Sequence, residues 1–212
     1  MVGRMRAIAV CVMVWLGGCA YLPAGPLVDA PSTKVAPPPH VYLIRGFEDW
    51  YSTGIETLAA ELRESHIDAK SYGESQWESL GDSLANGRLQ RTRLVLIGFS
   101  YGADDVIHIA RRLGSAGYSV QLLVTIDPVT PGSIPANVKR CVNFYQSNGI
   151  WDFFPWLRGV PVAREAGDKQ QLANINLRTH PELLEPGTSH ATIAGNEKMH
   201  AAIIRLVQSA AQ

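Results

Sequence analysis

The chain has 212 residues, a length that suits one domain with short extensions. The charges of its 19 basic and 19 acidic side chains cancel. Hydrophobic residues make up 46% of the sequence and charged residues 18%, which supplies a buried core and excludes a wholly disordered chain. A neutral chain with neither a run of Lys and Arg nor a Cys/His cluster gives no indication of nucleic-acid binding, a metal site or a cofactor.

The first predicted element is a leader at residues 1–18. Arg4 and Arg6 precede the apolar residues 7–16, a run as long as a signal-peptide core and too short to span a bilayer. The sequence Leu16-Gly17-Gly18-Cys19 follows and resembles a bacterial lipobox. The resemblance implies lipidation of the cysteine and a lipoprotein of the bacterial envelope, anchored in the outer membrane and facing the periplasm. The alternative is an ordinary secretory signal with a chance cysteine.

A tether is predicted at residues 19–39. Six prolines fall between residues 20 and 39, and they prevent packing as helix or sheet, so we expect an extended spacer. The folded domain is expected at residues 40–212. Its one cysteine, Cys141, stands in an apolar pattern and is expected to be a buried small hydrophobe rather than a nucleophile.

Strand-like and helix-like patterns alternate through this domain. Strands are predicted at residues 40–44, 67–72, 94–98, 120–126, 138–145 and 172–177. Helices are predicted to begin with a capping box at Thr53, around Trp77, after Gly102, and at residues 196–207. The alternation predicts an α/β fold with a mostly parallel sheet of about six strands and helices on both faces.

The central pattern is an aliphatic strand that ends in Gly-x-Ser-x-Gly at residues 98–102, where a helical pattern starts at once. This is the arrangement of a nucleophile elbow, in which Ser100 would occupy a strained strand-to-helix turn and flanking glycines avoid collision. The helix N-terminus would favour negative charge developing near the serine. A plain Gly-rich turn is the alternative.

Charged and polar residues lie opposite the apolar stripe of the helix that follows the elbow. They are Asp104, Asp105, His108, Arg111 and Arg112. The simplest interpretation is a solvated helix face. The spacing of Asp104 and His108 leaves a catalytic pair as the alternative.

A serine hydroxyl needs a general base, and the base needs an orienting carboxylate, at the carboxyl ends of the parallel strands. Asp127 directly follows the predicted strand 120–126. Asp152 is a rival acid, because it lies in the loop after the next strand. A turn-forming role for Asp127 before Pro128 is the alternative without catalysis.

The candidate base is His190, in a loop between the last predicted strand and the last helix. His180 lies earlier in that loop, and His200 lies within the helical pattern, where a histidine is more often a surface or packing residue. The resulting order Ser, Asp, His is typical of this elbow motif.

An oxyanion hole needs two backbone N–H groups directed at one point. The first is expected from Tyr101, directly after the nucleophile, and the second from Phe47 in the loop after the first strand. Gly46 would let that loop approach a substrate. A simple strand-ending turn is the alternative.

With these residues in place, the chain resembles the α/β-hydrolase superfamily from about residue 40 to residue 207. The segment Thr125-Ile126-Asp127-Pro128 is similar to the acid segment of pancreatic-type lipases, and this similarity favours Asp127 over Asp152. Arg45 departs from the family, many members of which carry His before the oxyanion glycine. No large lid is inserted after Asp127, so activation by lid opening is not expected.

The resemblance implies a serine hydrolase of the esterase, lipase or thioesterase kind, which cleaves a small-molecule ester or thioester through an acyl-enzyme. The alternative is a non-catalytic envelope lipoprotein that keeps the fold to bind a lipid or protein partner. The segment 150–162 carries five large apolar residues. They could contact the acyl substrate or a membrane, or they could pack as a buried loop, and the sequence favours neither interpretation.

Overall fold

The computed structural model describes residues 38–46, 53–88, 90–147, 149, 153–154 and 159–210. These residues belong to one compact unit, Ala36–Gln212. The predicted leader, the lipidation residue Cys19 and the tether up to residue 37 lie outside them. Within these ranges, no helix combines the length and the apolar character that crossing a bilayer requires.

The described residues form six strands and four α-helices, which alternate as far as the fourth strand, whereas the last three strands follow one another before the final helix. The strands are β1 (His40–Ile44), β2 (Asp68–Tyr72), β3 (Leu94–Phe99), β4 (Leu122–Ile126), β5 (Arg140–Tyr145) and β6 (Gln171–Asn176). The helices are α1 (Thr53–Glu64), α2 (Trp77–Ala85), α3 (Tyr101–Ser115) and α4 (Glu197–Ala210). The predicted α/β class and the order of elements are confirmed.

All neighbouring strands run parallel, in the order β2-β1-β3-β4-β5-β6. The elbow strand β3 therefore lies inside the sheet, between β1 and β4. Because parallel strands end at the same edge, the loops that follow β1, β3, β4 and β5 meet there. This edge is where the predicted site residues should come together.

Both faces of the sheet are covered by helices. Along β3, Val95, Ile97 and Phe99 point into a core shared with α1 and α4. Leu94 and Leu96 point into a second core shared with α2 and α3. A strand buried on both faces reads as a continuous aliphatic run, which explains why β3 was visible in the sequence.

Several predicted boundaries differ from the structure by one to three residues, and two of these differences have a visible cause. Thr53 is already part of α1 and is not its cap. Strand β4 begins at Leu122 rather than at residue 120, because Val120 makes only an isolated bridge with Val138 and the chain bends at Gln121. Neither difference moves a predicted site residue away from its strand end.

The predicted solvated face of α3 is wrong for Asp104 and Asp105, which are only 6% and 8% exposed. Asp104 accepts hydrogen bonds from Thr130 N at 2.8 Å and Thr130 Oγ1 at 3.2 Å. Burial raises the pKa of both carboxyls, that of Asp105 to about 7. His108, by contrast, is exposed and lies against Trp77.

Cys141 is fully buried on β5, as the sequence predicted. Burial raises the pKa of its thiol to about 12. Since the thiolate is the nucleophilic form, burial disfavours this cysteine as a nucleophile at neutral pH.

Candidate active site

Ser100 is placed by a strained turn between β3 and α3. Its backbone angles are φ 56° and ψ −124°, a region that L residues seldom adopt and that costs on the order of 1–3 kcal/mol. A Cβ atom on Gly98 would lie 2.1 Å from Gly102 O, and one on Gly102 would lie 2.3 Å from Arg45 O. Both glycines are therefore required by the close approach of backbone to backbone. The turn has the geometry of a nucleophile elbow.

The structure brings Ser100, His190 and Asp127 together, although they lie far apart in the sequence. Ser100 Oγ is 3.0 Å from His190 Nε2, and His190 Nδ1 is 3.0 Å from Asp127 Oδ2. A carboxylate can only accept hydrogen bonds, so this network assigns the imidazole proton to His190 Nδ1, which donates to Asp127. His190 Nε2 then carries no proton and accepts from the hydroxyl of Ser100. The arrangement can move a proton from Ser100 to His190.

Asp127 is fully buried and its position is fixed by backbone contacts. The residue has a positive φ of 48°, so it is the second member of the constellation held in a strained conformation. Gln146 N donates to Asp127 Oδ1 at 2.6 Å, which leaves Oδ2 for His190. Gly159 packs directly against the carboxylate.

His190 lies in a compact turn between β6 and α4. Ser189 N donates to Thr192 Oγ1 at 2.9 Å, and Ile193 N donates to Ser189 O at 2.8 Å. The ring of Phe99, the residue before the nucleophile, lies 5.5 Å from the imidazole, centroid to centroid. The imidazole is therefore supported by its own turn on one side and by the elbow on the other.

One predicted oxyanion donor is described by the structure. Tyr101 is the first residue of α3, so its N–H lies at the helix N-terminus, directly after the nucleophile. Gly46 lies beside the elbow, because a Cβ atom there would be 3.0 Å from Ser100 Cβ. The second predicted donor, Phe47, lies outside the described residues, as does the rival acid Asp152.

The other candidate histidines have different partners. His180 Nδ1 is 2.9 Å from Glu182 Oε1 on the surface. His200 is 1% exposed and lies 3.0 Å from Glu61 Oε2 through Nδ1 and 2.6 Å from Ala194 O through Nε2. Asp104 Oδ2 accepts from Thr130 N at 2.8 Å, and the charge of His108 acts on this carboxyl only as a small influence that opposes the larger effect of burial on its pKa.

The aromatic segment 150–162 is described only in part. Phe153 is 82% exposed, and Phe154 packs against it edge to face at 5.6 Å. At Phe153 the structure therefore does not show a buried plug. The segment's Trp151, Trp156 and Leu157 lie outside the described residues.

Two residues of the site were not identified from the sequence. Gln146 N donates a hydrogen bond to Asp127 Oδ1. Gly159 packs against the same oxygen. Gln146 directly follows β5, so the rule that site residues lie at the carboxyl ends of strands could have found it. No comparable local signal marks Gly159.

An elbow serine follows an internal parallel strand, an acid follows the next strand, and a histidine lies between the last strand and the last helix, and this combination and chain order are those of the α/β-hydrolase fold. The protein has this fold, as its sequence predicted.

Comparison with known proteins yields structural likeness at low sequence identity. Neither a family model nor a curated protein matches the sequence. A cutinase-like protein from Cryptococcus sp. superposes with a TM-score of 0.49 at 12% identity, over 84% of this chain and 97% of that one. The type II thioesterase BorB of the borrelidin biosynthetic cluster has the same TM-score and identity, over 82% and 93%. A lidless α/β serine hydrolase from Xanthomonas campestris has a TM-score of 0.42 at 15% identity, over 85% and 84%.

Proposed function

We propose that the protein is a serine hydrolase that cleaves a carboxylic ester or thioester through an acyl-enzyme. The observation that carries this proposal is the continuous chain of contacts from Ser100 Oγ through His190 to the buried Asp127, with 3.0 Å at each link. A binding module has no use for a strained serine aligned with a base and an orienting acid.

In the first half-reaction, Ser100 Oγ attacks the carbonyl carbon of the substrate while its proton passes to His190 Nε2. Asp127 holds the imidazole and stabilises the imidazolium. The N–H groups of Tyr101 and Phe47 would stabilise the oxyanion. Collapse of the tetrahedral intermediate breaks the C–O or C–S bond, and His190 returns the proton to the departing alcohol or thiol.

In the second half-reaction, water takes the place of the serine. His190 accepts a proton from the water, whose oxygen attacks the acyl carbon. The acid is released, and the proton returns to Ser100 Oγ. Both half-reactions use the same three side chains, and water is the one co-reactant consumed.

Hydrolysis of a series of p-nitrophenyl esters tests the proposal. Removal of the nucleophile from a triad typically costs roughly 10⁶ in kcat, so Ser100→Ala should be inactive while remaining folded. Ser133→Ala, at an exposed position, is the matched control and should keep wild-type activity. Equal turnover by wild type and Ser100→Ala would contradict the proposal, and absence of turnover in both would favour the non-catalytic alternative.

We further propose that Cys19 carries the lipid that anchors this hydrolase in the bacterial envelope. The enzyme would then be held at the outer membrane, face the periplasm and act on small acyl substrates there. The support is the lipobox-like sequence and the predicted tether, since two or more acyl chains give stable anchoring. Incorporation of labelled palmitate in a bacterial host should be lost in Cys19→Ser. It should persist in the control Cys141→Ser, and labelling of Cys19→Ser would contradict the anchor.

A further inference from the structure

We propose that Gln146 is a positioning residue that fixes the distance between the catalytic acid and the histidine-bearing turn. This inference rests on the proposed function, because it assigns Gln146 a role in keeping that triad assembled. Gln146 contacts neither the substrate nor the reacting atoms, so its effect would act through Asp127 and His190.

The backbone of Gln146 holds the acid. Gln146 directly follows β5 and is fully buried. Its N–H donates to Asp127 Oδ1 at 2.6 Å, and Asp127 N donates to Phe144 O at 2.8 Å. Gln146 O in turn accepts from Gly159 N at 3.1 Å. The backbone around Gln146 is thus hydrogen-bonded to the segments that carry Asp127 and Gly159. These bonds fix the position of the Gln146 Cα, from which the side chain extends.

The side chain of Gln146 holds the histidine turn. Its Nε2 donates to Thr188 O at 3.2 Å, and Thr188 precedes His190 by two residues. His190 Nδ1 donates to Asp127 Oδ2 at 3.0 Å. The connection from acid to glutamine to turn to histidine is therefore a closed ring. A ring of this kind restrains the His190–Asp127 distance from both ends.

The glutamine side chain is only partly satisfied at this position. Gln146 Oε1 is buried and has no hydrogen-bond partner among the described residues, and an unsatisfied buried carbonyl destabilises a fold. Methionine has similar length and volume without that oxygen. The side chain bonds the histidine turn through Nε2 and leaves Oε1 unpaired, and such local compromises are typical of functional sites.

The test compares Gln146→Met and Gln146→Glu with wild type, using p-nitrophenyl acetate as substrate. Gln146→Met removes the donor to Thr188 and should lower kcat roughly 10- to 100-fold, with KM within twofold and a melting temperature within a few degrees of wild type. Gln208→Met, at an exposed position on α4, is the matched control and should change neither.

Gln146→Glu adds a readout that a packing role would not move. In its neutral form the introduced carboxyl can donate O–H to Thr188 O, whereas its ionised form repels that carbonyl. The kcat of Gln146→Glu relative to wild type should therefore fall as the pH rises, while that of Gln146→Met stays level. A kcat for Gln146→Met within twofold of wild type, or a loss of kcat that parallels a lower melting temperature, would overturn the proposal.

The proton resonance of His190 Nδ1–H separates this inference from the proposed function. In Gln146→Met, faster exchange of that proton with water should broaden the signal, and the measurement needs no turnover. If wild type hydrolyses no ester but the signal still broadens, positioning stands and the hydrolase proposal fails. If wild type is active and the signal is unchanged, the hydrolase proposal stands and the role of Gln146 is refuted.

Discussion

Gly159 and Asp127 pack against each other with no room for a side chain between them. A Cβ atom on Gly159 would lie 1.9 Å from Asp127 Oδ1 and 2.7 Å from its Cγ. The glycine thus covers the face of the carboxylate that does not meet His190. Together with the hydrogen bond from Gln146 N, this contact restricts the carboxylate of Asp127 to one orientation.

Gly159→Ala should therefore damage catalysis by displacing Asp127. A methyl group cannot be placed 1.9 Å from a buried carboxylate oxygen, so the acid must shift, and a misplacement of about 1 Å can cost roughly 100-fold in rate. The measurement is kcat for p-nitrophenyl acetate. Gly132→Ala is the control, since its nearest neighbour would be 4.0 Å away. Equal kcat in both variants would show that the contact does not position the acid.

The identity of the acid is decided by a pair of variants. Asp127→Asn keeps the shape of the side chain but removes the charge and favours the wrong imidazole tautomer, which should lower kcat by roughly 10⁴. Asp152→Asn should leave kcat unchanged, because Asp127 already occupies His190 Nδ1 at 3.0 Å. Loss of activity only in Asp152→Asn would reverse the assignment.

The elbow glycines should be required for folding as well as for activity. In Gly98→Ala, a Cβ atom would lie 2.1 Å from Gly102 O and 2.7 Å from Ala103 Cα. Such backbone overlap should lower the free energy of unfolding by at least about 1–3 kcal/mol. Urea unfolding measures the loss, with Gly132→Ala again as the control. A midpoint for Gly98→Ala equal to that of wild type would argue against the tight turn.

Asp105 should make the protein less stable as the pH rises through the neutral range. Burial, followed by the charges of Glu74, Asp104 and Glu78, raises the pKa of Asp105 from 3.8 to about 7. Between these values the folded state binds more protons than the unfolded state. The free energy of unfolding therefore falls from about pH 4 to about pH 7.

Asp105→Asn removes this titration. The variant should be more stable than wild type at pH 8, by an amount on the order of 2 kcal/mol, and the difference should vanish near pH 4. Urea unfolding at several pH values gives the comparison. Glu64→Gln, at the exposed end of α1, should show no such trend, and a pH-independent difference for Asp105→Asn would refute the explanation.

Much of the site could be predicted because its signals are local. The buried strand β3 is a continuous aliphatic run, and Ser100 follows it within a glycine-bracketed turn. Asp127 directly follows a strand, and His190 lies in the segment between the last strand and the last helix. Parallel strands bring such segments to one edge of the sheet, which makes these residues candidates before any distance is known. The preference for Asp127 over Asp152 rests instead on the similarity of residues 125–128 to the acid segment of pancreatic-type lipases.

What could not be predicted depends on contacts between distant segments. Asp104 and Asp105 lie opposite the apolar stripe of α3, yet both are buried, because other segments pack over that side of the helix, including the one that carries Thr130. Gln146 and Gly159 surround the acid only because β4, β5 and the segment after residue 158 meet there. Helical periodicity and strand ends do not encode these arrangements.

The most direct measurement of the central claim is covalent labelling with a fluorophosphonate probe, read as intact mass and then mapped to a peptide. We predict one adduct per chain, on Ser100, and none on Ser100→Ala. Asp127→Asn should react much more slowly, because the base is no longer held against the serine. An adduct on another residue, or equal labelling of wild type and Ser100→Ala, would refute the assignment of Ser100 as the nucleophile.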